Sequence, residues 1–209
     1  MNLENYYWYF PSALTNRFCN ELIKYGNLQK DKTALIGGLT ENSNLSKKQL
    51  KNIQKTRNSN IAWLDDQWIY KEIMPYVHYA NKKAGWNFDI NFSESCQFTK
   101  YGPEQHYGWH CDSFPRPFDK PNLPNEHGKI RKLSVTCSLS NPSDYTGGEL
   151  EFNFNDPGKK KNQNIKKCIE ILPRGSIVVF PSFVYHRVCP VQQGIRYSLV
   201  IWNLGYPYK

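Results

Sequence analysis

No apolar run in this sequence approaches the length of a membrane span, and its start has neither the basic leader nor the apolar stretch of a secretory signal. A helical membrane span is thereby excluded, and a cytoplasmic location is expected. The six cysteines (Cys19, Cys96, Cys111, Cys137, Cys168, Cys189) include no Cys-x-x-Cys pair. Without a secretory route these thiols are expected to stay reduced, several of them as small core residues. No internal repeat and no linker interrupts the chain. Its 209 residues therefore read as one domain, 1–209, large enough to bury a substantial core.

Aromatic residues make up 15% of the chain and the mean hydropathy is -0.69, the balance of a globular protein with a polar surface. A net charge of +9 would attract polyanions, but much of it comes from Lys159-Lys160-Lys161 and Lys166-Lys167 in loops. A solvated basic face is expected before a nucleic-acid groove. The abundance of Lys, Asn, Ile and Tyr is that of an AT-rich genome, as in a small bacterium or its virus.

Two parts follow in order. In 1–85, a helical support region, the aromatic run Asn5 to Phe10 reads as an edge strand. Leu14, Phe18, Leu22 and Tyr25 recur at helical spacing over Ser12 to Gly26, with Gly26-Asn27 as a stop. Gly37 to Asn60 is polar, a long excursion with a short helix near 46–53 and no assigned chemistry. Asp66 to Ala84 predicts a second helix, bent or broken at Pro75, with Trp68, Ile69, Ile73, Val77 and Ala80 as its buried stripe. These helices are expected to brace one sheet face. In 86–209, short segments with Gly and Pro punctuation predict strands near 87–92, 95–99, 107–112, 131–138, 148–154, 168–172, 177–180, 184–188 and 196–203. The fold class is mainly β with flanking helices, a sandwich or jelly roll. The proline-rich loop Ser113 to Lys129 could fold over a substrate as a lid, and Asn155 to Lys167 reads as a solvated hairpin extension.

The chemistry centres on His110-Cys111-Asp112, read with His186 and Arg196. On an extended strand, residues two apart share a face. His110 and Asp112 would then project an imidazole and a carboxylate into one space, with Cys111 turned away. His186 ends the apolar run Ile177 to Tyr185. Two histidines and a carboxylate on one face of a metal form the facial triad of non-haem Fe(II) oxygenases, with open positions for a co-substrate and dioxygen. Arg196, inside the strand-like run Arg196 to Trp202, needs an anion to offset its desolvation. A dicarboxylic co-substrate gripping the metal at one end and Arg196 at the other accounts for both charges.

With those residues the chain resembles the Fe(II)/2-oxoglutarate-dependent dioxygenases, in their prolyl 4-hydroxylase-like branch. Further likeness lies in Gln97 to Gly102, Tyr107 to Asp112, Arg131 to Thr136, Asp144 to Leu150 and Pro173 to Ser176, over about 92–204. The resemblance implies a double-stranded β-helix core with the metal at its open mouth. It implies that His110, Asp112 and His186 are the catalytic metal ligands for Fe(II), with O2 as oxidant and 2-oxoglutarate as co-substrate paired to Arg196. Tyr101 matches a tyrosine beside the co-substrate, or is a packed strand residue. Ser138 falls near a second partner for the distal carboxylate. Trp202 stands where relatives often have a tryptophan and, with Leu150 and Val188, walls the pocket or belongs to the core. Tyr107 and Arg131 match positions near the substrate mouth, although Arg131 could be a structural ion pair. His78, His106 and His127 have no matching role.

The expected activity is hydroxylation of a peptide or protein at proline, releasing succinate and CO2. Alternatives are an oxygenase for a small molecule, an oxidative nucleic-acid demethylase, and a non-catalytic jelly-roll binding module. The demethylase branch resembles this chain less, because its second arginine six residues after the first is here Trp202. Oligomeric state is not encoded in these motifs.

Overall fold

The computed structural model describes residues 3–29, 32–33, 46–154 and 164–208. The elements in chain order are β1 (Trp8–Phe10), α1 (Asn16–Leu28), β2 (Lys32–Thr33), α2 (Lys47–Thr56), β3 (Arg57–Asn58), β4 (Asn60–Leu64), α3 (Gln67–Lys83), β5 (Phe92–Ser93), β6 (Cys96–Tyr101) and β7 (His106–His110). The second half holds β8 (Ile130–Ser138), β9 (Tyr145–Gly147), β10 (Leu150–Asn153), β11 (Ile165–Lys167), β12 (Ile177–Pro181), β13 (Tyr185–Val188), β14 (Val191–Gly194) and β15 (Arg196–Gly205).

Two antiparallel sheets dominate. The larger runs β1-β12-β8-β15-β6-β4-β2, with β5 pairing the end of β15, and the smaller runs β11-β10-β13-β7-β3. From β7 onward the principal strands alternate between them: β7 small, β8 large, β10 small, β12 large, β13 small, β15 large. That alternation winds the chain as the expected double-stranded β-helix. β9 and β14 form a separate two-stranded ribbon.

One face of the large sheet packs on α1 and α3. Phe18 and Leu22 of α1 and Ile69, Ile73 and Val77 of α3 meet Phe98, Leu133, Val135, Leu199 and Ile201 of the sheet. A second cluster, including Leu150, Phe152, Val178, Phe180 and Val184, lies between the sheets. β12 serves both clusters, Val179 on one face and Val178 on the other. That double burial explains a continuous apolar run in place of alternation.

Several expectations need correction. α1 starts at Asn16, where the Thr15 side chain accepts the Phe18 N–H, and it runs past Gly26 to Leu28. Gly26 is a close-approach residue: a Cβ there would lie 2.5 Å from the Phe98 ring. α3 continues through Pro75 unbroken. An interior proline costs about 3 kcal/mol, whereas fully burying Ile69, Ile73 and Val77 contributes about 1.5–3 kcal/mol each, so packing wins. The polar excursion holds α2, capped by a reciprocal Ser46–Gln49 box, and then β3 and β4, which pair with β7 and β6. Its stretch 37–45 lies outside the described residues. α2 contacts β3 and β7 and so joins the small sheet, unlike α1 and α3. The expected strand over 87–92 reduces to Phe92–Ser93, because the Asn81 carboxamide bonds both the N–H and the C=O of Phe88 in place of a strand partner. Around 168–172 the chain turns in a short 3-10 segment, Ile169–Ile171, after β11. Of the expected hairpin extension, 155–163 lies outside the described residues.

Candidate metal centre and anion site

Adjacent strands of the small sheet carry the two histidines, and His110 of β7 is paired with His186 of β13. Each ring nitrogen Nδ1 donates to the carbonyl two residues earlier, His110 to Gly108 at 2.8 Å and His186 to Val184 at 3.0 Å. A carbonyl can only accept, so each Nδ1 carries a proton, and Nε2 is the ring nitrogen turned toward the site. Burial, reinforced by neighbouring His186, pushes His110 down to about 3, so its imidazole is neutral.

Asp112 lies just beyond the end of β7, so strand alternation does not place it as expected. The turn after β12 does: the Asp112 N–H donates to the Ser182 carbonyl at 2.8 Å. Its Oδ1 is 3.6 Å from His110 Nε2 and its Oδ2 is 3.6 Å from His186 Nε2. Burial alone would raise this carboxyl. The neighbouring His186 and His110 rings, the Arg131 charge and a Ser134 hydrogen bond overcome it and hold the group down to about 2. Ligand atoms of all three residues fall within 4.8 Å of one another, the metal-competent group among the described residues. Two ring nitrogens and one carboxylate suit a divalent first-row metal such as Fe(II). Cys111 Sγ donates to the Ser113 carbonyl and stays out of the group.

Arg196 opens β15 opposite Tyr101 of β6 and is 3% exposed. Its guanidinium lies 5.5 Å from the Tyr101 ring centre and donates to Ser198 Oγ at 3.3 Å. Among the described residues no carboxylate pairs with it. Gly148 makes room for this side chain: with φ +64, a Cβ there would also stand 2.9 Å from Arg196 Cδ. Tyr101 packs with Val188 and Tyr107, and Tyr107 stacks on His110 at 3.5 Å. One continuous line of contacts therefore joins the anion-seeking arginine to the metal ligands. Ser138 is buried on β8 and faces Ser198 in register. Ser198 was not singled out by sequence, although its spacing two residues after Arg196 puts both on one face.

The remaining predicted residues divide. Tyr107 is clasped between His110 and Arg57, whose guanidinium is 4.4 Å from the ring. Burial pushes the Tyr107 hydroxyl up to about 12. Arg57 belongs to the stretch given no chemistry, and only its pairing with Tyr107 brings it to the site. Arg131 makes a two-point pair with Glu94 at 2.6 Å for each bond, and its guanidinium covers Trp202 at 3.9 Å. Its charge thus has a structural partner. Trp202 is 5% exposed, held between Arg131 and Trp63. Leu150 joins the inter-sheet cluster, while Val188 sits with Tyr101 and Val191. The 113–129 loop is closed on itself by Phe118–Lys129 and Gly128–Phe118 backbone bonds, with Phe114 against Arg131. His106 bonds the Glu104 and Lys55 carbonyls, and His127 accepts the Lys120 N–H, both away from the metal ligands.

A jelly-roll barrel with two histidines, one carboxylate and a buried arginine is the framework of a mononuclear metal oxygenase. Residues 96–203 match the sequence model of the 2OG-Fe(II) oxygenase superfamily. The chain belongs to that family, whose cofactor and co-substrates are Fe(II), 2-oxoglutarate and O2. It is 39% identical over 100 residues to a PKHD-type hydroxylase of Synechococcus sp. strain CC9902, covering 48% of this chain and 36% of the relative. With a PKHD-type hydroxylase of Prochlorococcus marinus strain MIT 9515 it shares 32% identity over 173 residues, 81% of this chain and 66% of the relative. This chain thus spans less than two thirds of the length of these relatives. Its fold is similar to that of the viral collagen prolyl hydroxylase of Paramecium Bursaria Chlorella virus-1, solved with 2OG, at TM-score 0.61 and 18% identity over 97% of each chain. Among the described residues no helix is long and apolar enough to cross a membrane.

Proposed function

We propose that this chain is an Fe(II)- and 2-oxoglutarate-dependent dioxygenase that hydroxylates a peptide or protein at proline, releasing succinate and CO2. The observation that carries the reading is a buried Arg196 without a carboxylate partner among the described residues, in contact continuity with three residues poised as metal ligands. His110, Asp112 and His186 would hold Fe(II), and the bound iron supplies the oxidative chemistry that couples decarboxylation of 2-oxoglutarate to hydroxylation. Arg196 and the Ser198 hydroxyl bind the distal carboxylate, with Ser138 at hand across the strands. Tyr101 covers the arginine, and Leu150 and Val188 help exclude water. Tyr107 and Trp202, the latter positioned by Arg131, face the substrate mouth, and the 113–129 loop covers it.

The hydroxylase assignment draws on the names of the relatives, and proline as its target on the name of the structural neighbour. The test is succinate formation from 2-oxoglutarate with Fe(II) and oxygen, with and without a pool of proline-containing peptides analysed by mass spectrometry. Succinate that rises with the pool, together with one added oxygen on proline, is the expected outcome. Iron-dependent succinate with no peptide response would reassign the substrate. A steep salt dependence of binding to DNA or RNA would point to nucleic acid, a reading the +9 charge keeps in play. Exchange of His110, Asp112 or His186 for Ala is expected to abolish turnover, and retained activity in any of them removes that residue from the ligand set.

A further inference from the structure

The Asp112 carboxylate is held by two side chains outside the ligand set. Ser134, in the middle of β8, donates to Asp112 Oδ2 at 2.7 Å, and Ser182, in the turn between β12 and β13, lies 2.9 Å from Ser134 Oγ. Both serines are fully buried. Ser134 has a single hydroxyl hydrogen, and the carboxylate takes it. The hydrogen in the second contact must therefore come from Ser182. The order of donation is fixed as Ser182 to Ser134 to Asp112. The Ser182 backbone adds to this, since its carbonyl accepts the N–H groups of Asp112 at 2.8 Å and Ser113 at 2.9 Å, and its own N–H donates to Lys132 at 2.9 Å.

The two carboxylate oxygens are thus unequal. Each lies 3.6 Å from a histidine Nε2, Oδ1 from His110 and Oδ2 from His186, but Oδ2 is capped by Ser134 whereas Oδ1 accepts no hydrogen bond from the described residues. We propose that Ser134 and Ser182 are positioning residues that make Asp112 a one-oxygen metal ligand through Oδ1. The inference rests on the metal-centre reading given above. Its physical reason is coordination number. Three protein donors leave three positions of an octahedral site open, and a carboxylate free to chelate through both oxygens would fill one of them. Ser182 also couples the carboxylate to the turn leading into His186, four residues on, so one turn fixes two of the three ligands.

The test uses Co(II) as probe on the full chain, with binding by calorimetry and the visible ligand-field spectrum. Ser134→Ala is expected to weaken Co(II) binding about 10- to 100-fold, the range for losing an outer partner of a ligand, and to change the spectrum toward higher coordination. Ser182→Ala, which keeps Ser134 and every backbone bond, is expected to weaken it about 2- to 10-fold, as for one net hydrogen bond. The double variant is expected to lose little beyond Ser134→Ala, because the two hydroxyls act in series. His110→Ala serves as the reference for loss of a ligand. Binding and spectrum unchanged in Ser182→Ala and Ser134→Ala, while His110→Ala loses the metal, overturn the relay and leave the metal centre standing. Should Ser134→Ala fail to fold, Ser182→Ala alone decides on the same criteria. A parent chain that binds no Co(II) overturns both readings.

Discussion

The two faces of the large sheet are built from the same strands and do opposite work. On β15 the odd positions Leu199 and Ile201 join Leu133, Val135 and Cys137 of β8 against the helices. The even positions Arg196 and Ser198, with Ser134, Thr136 and Ser138, are just as buried yet polar. On β6 the same split sets Cys96 and Phe98 against Gln97 and Thr99, where Gln97 donates to the Thr99 hydroxyl at 3.0 Å. Burying polar groups costs free energy unless they are bonded, so the inner face is retained for what it binds. One face supplies stability through apolar area, and the other supplies placed donors and acceptors.

The comparison breaks most visibly by exchanging a residue on each face. Leu199→Ala, at a fully buried helix-facing site, is expected to lower unfolding stability by about 2–5 kcal/mol. Chemical denaturation checks this, and metal affinity below the transition should be unaltered. Arg196→Ala reverses the pattern. The 2-oxoglutarate requirement is expected to rise about 10- to 100-fold, the range for losing hydrogen bonds to a charged group, with little loss of stability because no internal carboxylate is orphaned. Steady-state kinetics against a melt of the same variant separates the two effects. An unchanged requirement would mean that another residue takes the distal carboxylate.

Gly26→Ala sharpens the outer face. Alanine is the better helix former by about 1 kcal/mol, but its Cβ would stand 2.5 Å from the Phe98 ring. A net destabilisation of about 1–3 kcal/mol is expected from overpacking, and a stabilised variant would show that Phe98 can move aside. The smallest effect separates two serines of the inner face. Ser198→Ala is expected to raise the 2-oxoglutarate requirement about 2- to 10-fold, more than Ser138→Ala, since Ser198 bonds Arg196 directly. The reverse order would restore Ser138 as the principal partner.

The candidate ligand cluster and the buried Arg196 were legible because their chemistry is dense and local. A His-x-Asp, a histidine ending an apolar run and an arginine inside a strand each stand out against their surroundings. The core strands 131–138 and 196–203 were legible as short β-type segments set off by Gly and Pro punctuation. Arg57, Ser134, Ser182 and Ser198 were not. A lone serine or a charge in a polar stretch carries no signal until another strand is laid beside it. A break at Pro75 was one reading of α3 because local propensity was weighed without the packing that outweighs it, and 87–92 was misjudged because the Asn81 side chain takes the place of a strand partner.

What the amino-acid sequence determined by itself was therefore the class: a jelly-roll oxygenase, its three candidate ligands and its strand-borne arginine, all properties of short motifs. The tertiary structure alone decided the working detail. Asp112 reaches the site through the Ser182 turn, Tyr107 is clasped between His110 and Arg57, and Arg131 is committed to Glu94. Each of these is a contact between segments distant in the chain, where hydrogen-bond direction and register, neither of them written in residue order, settle what a side chain can do.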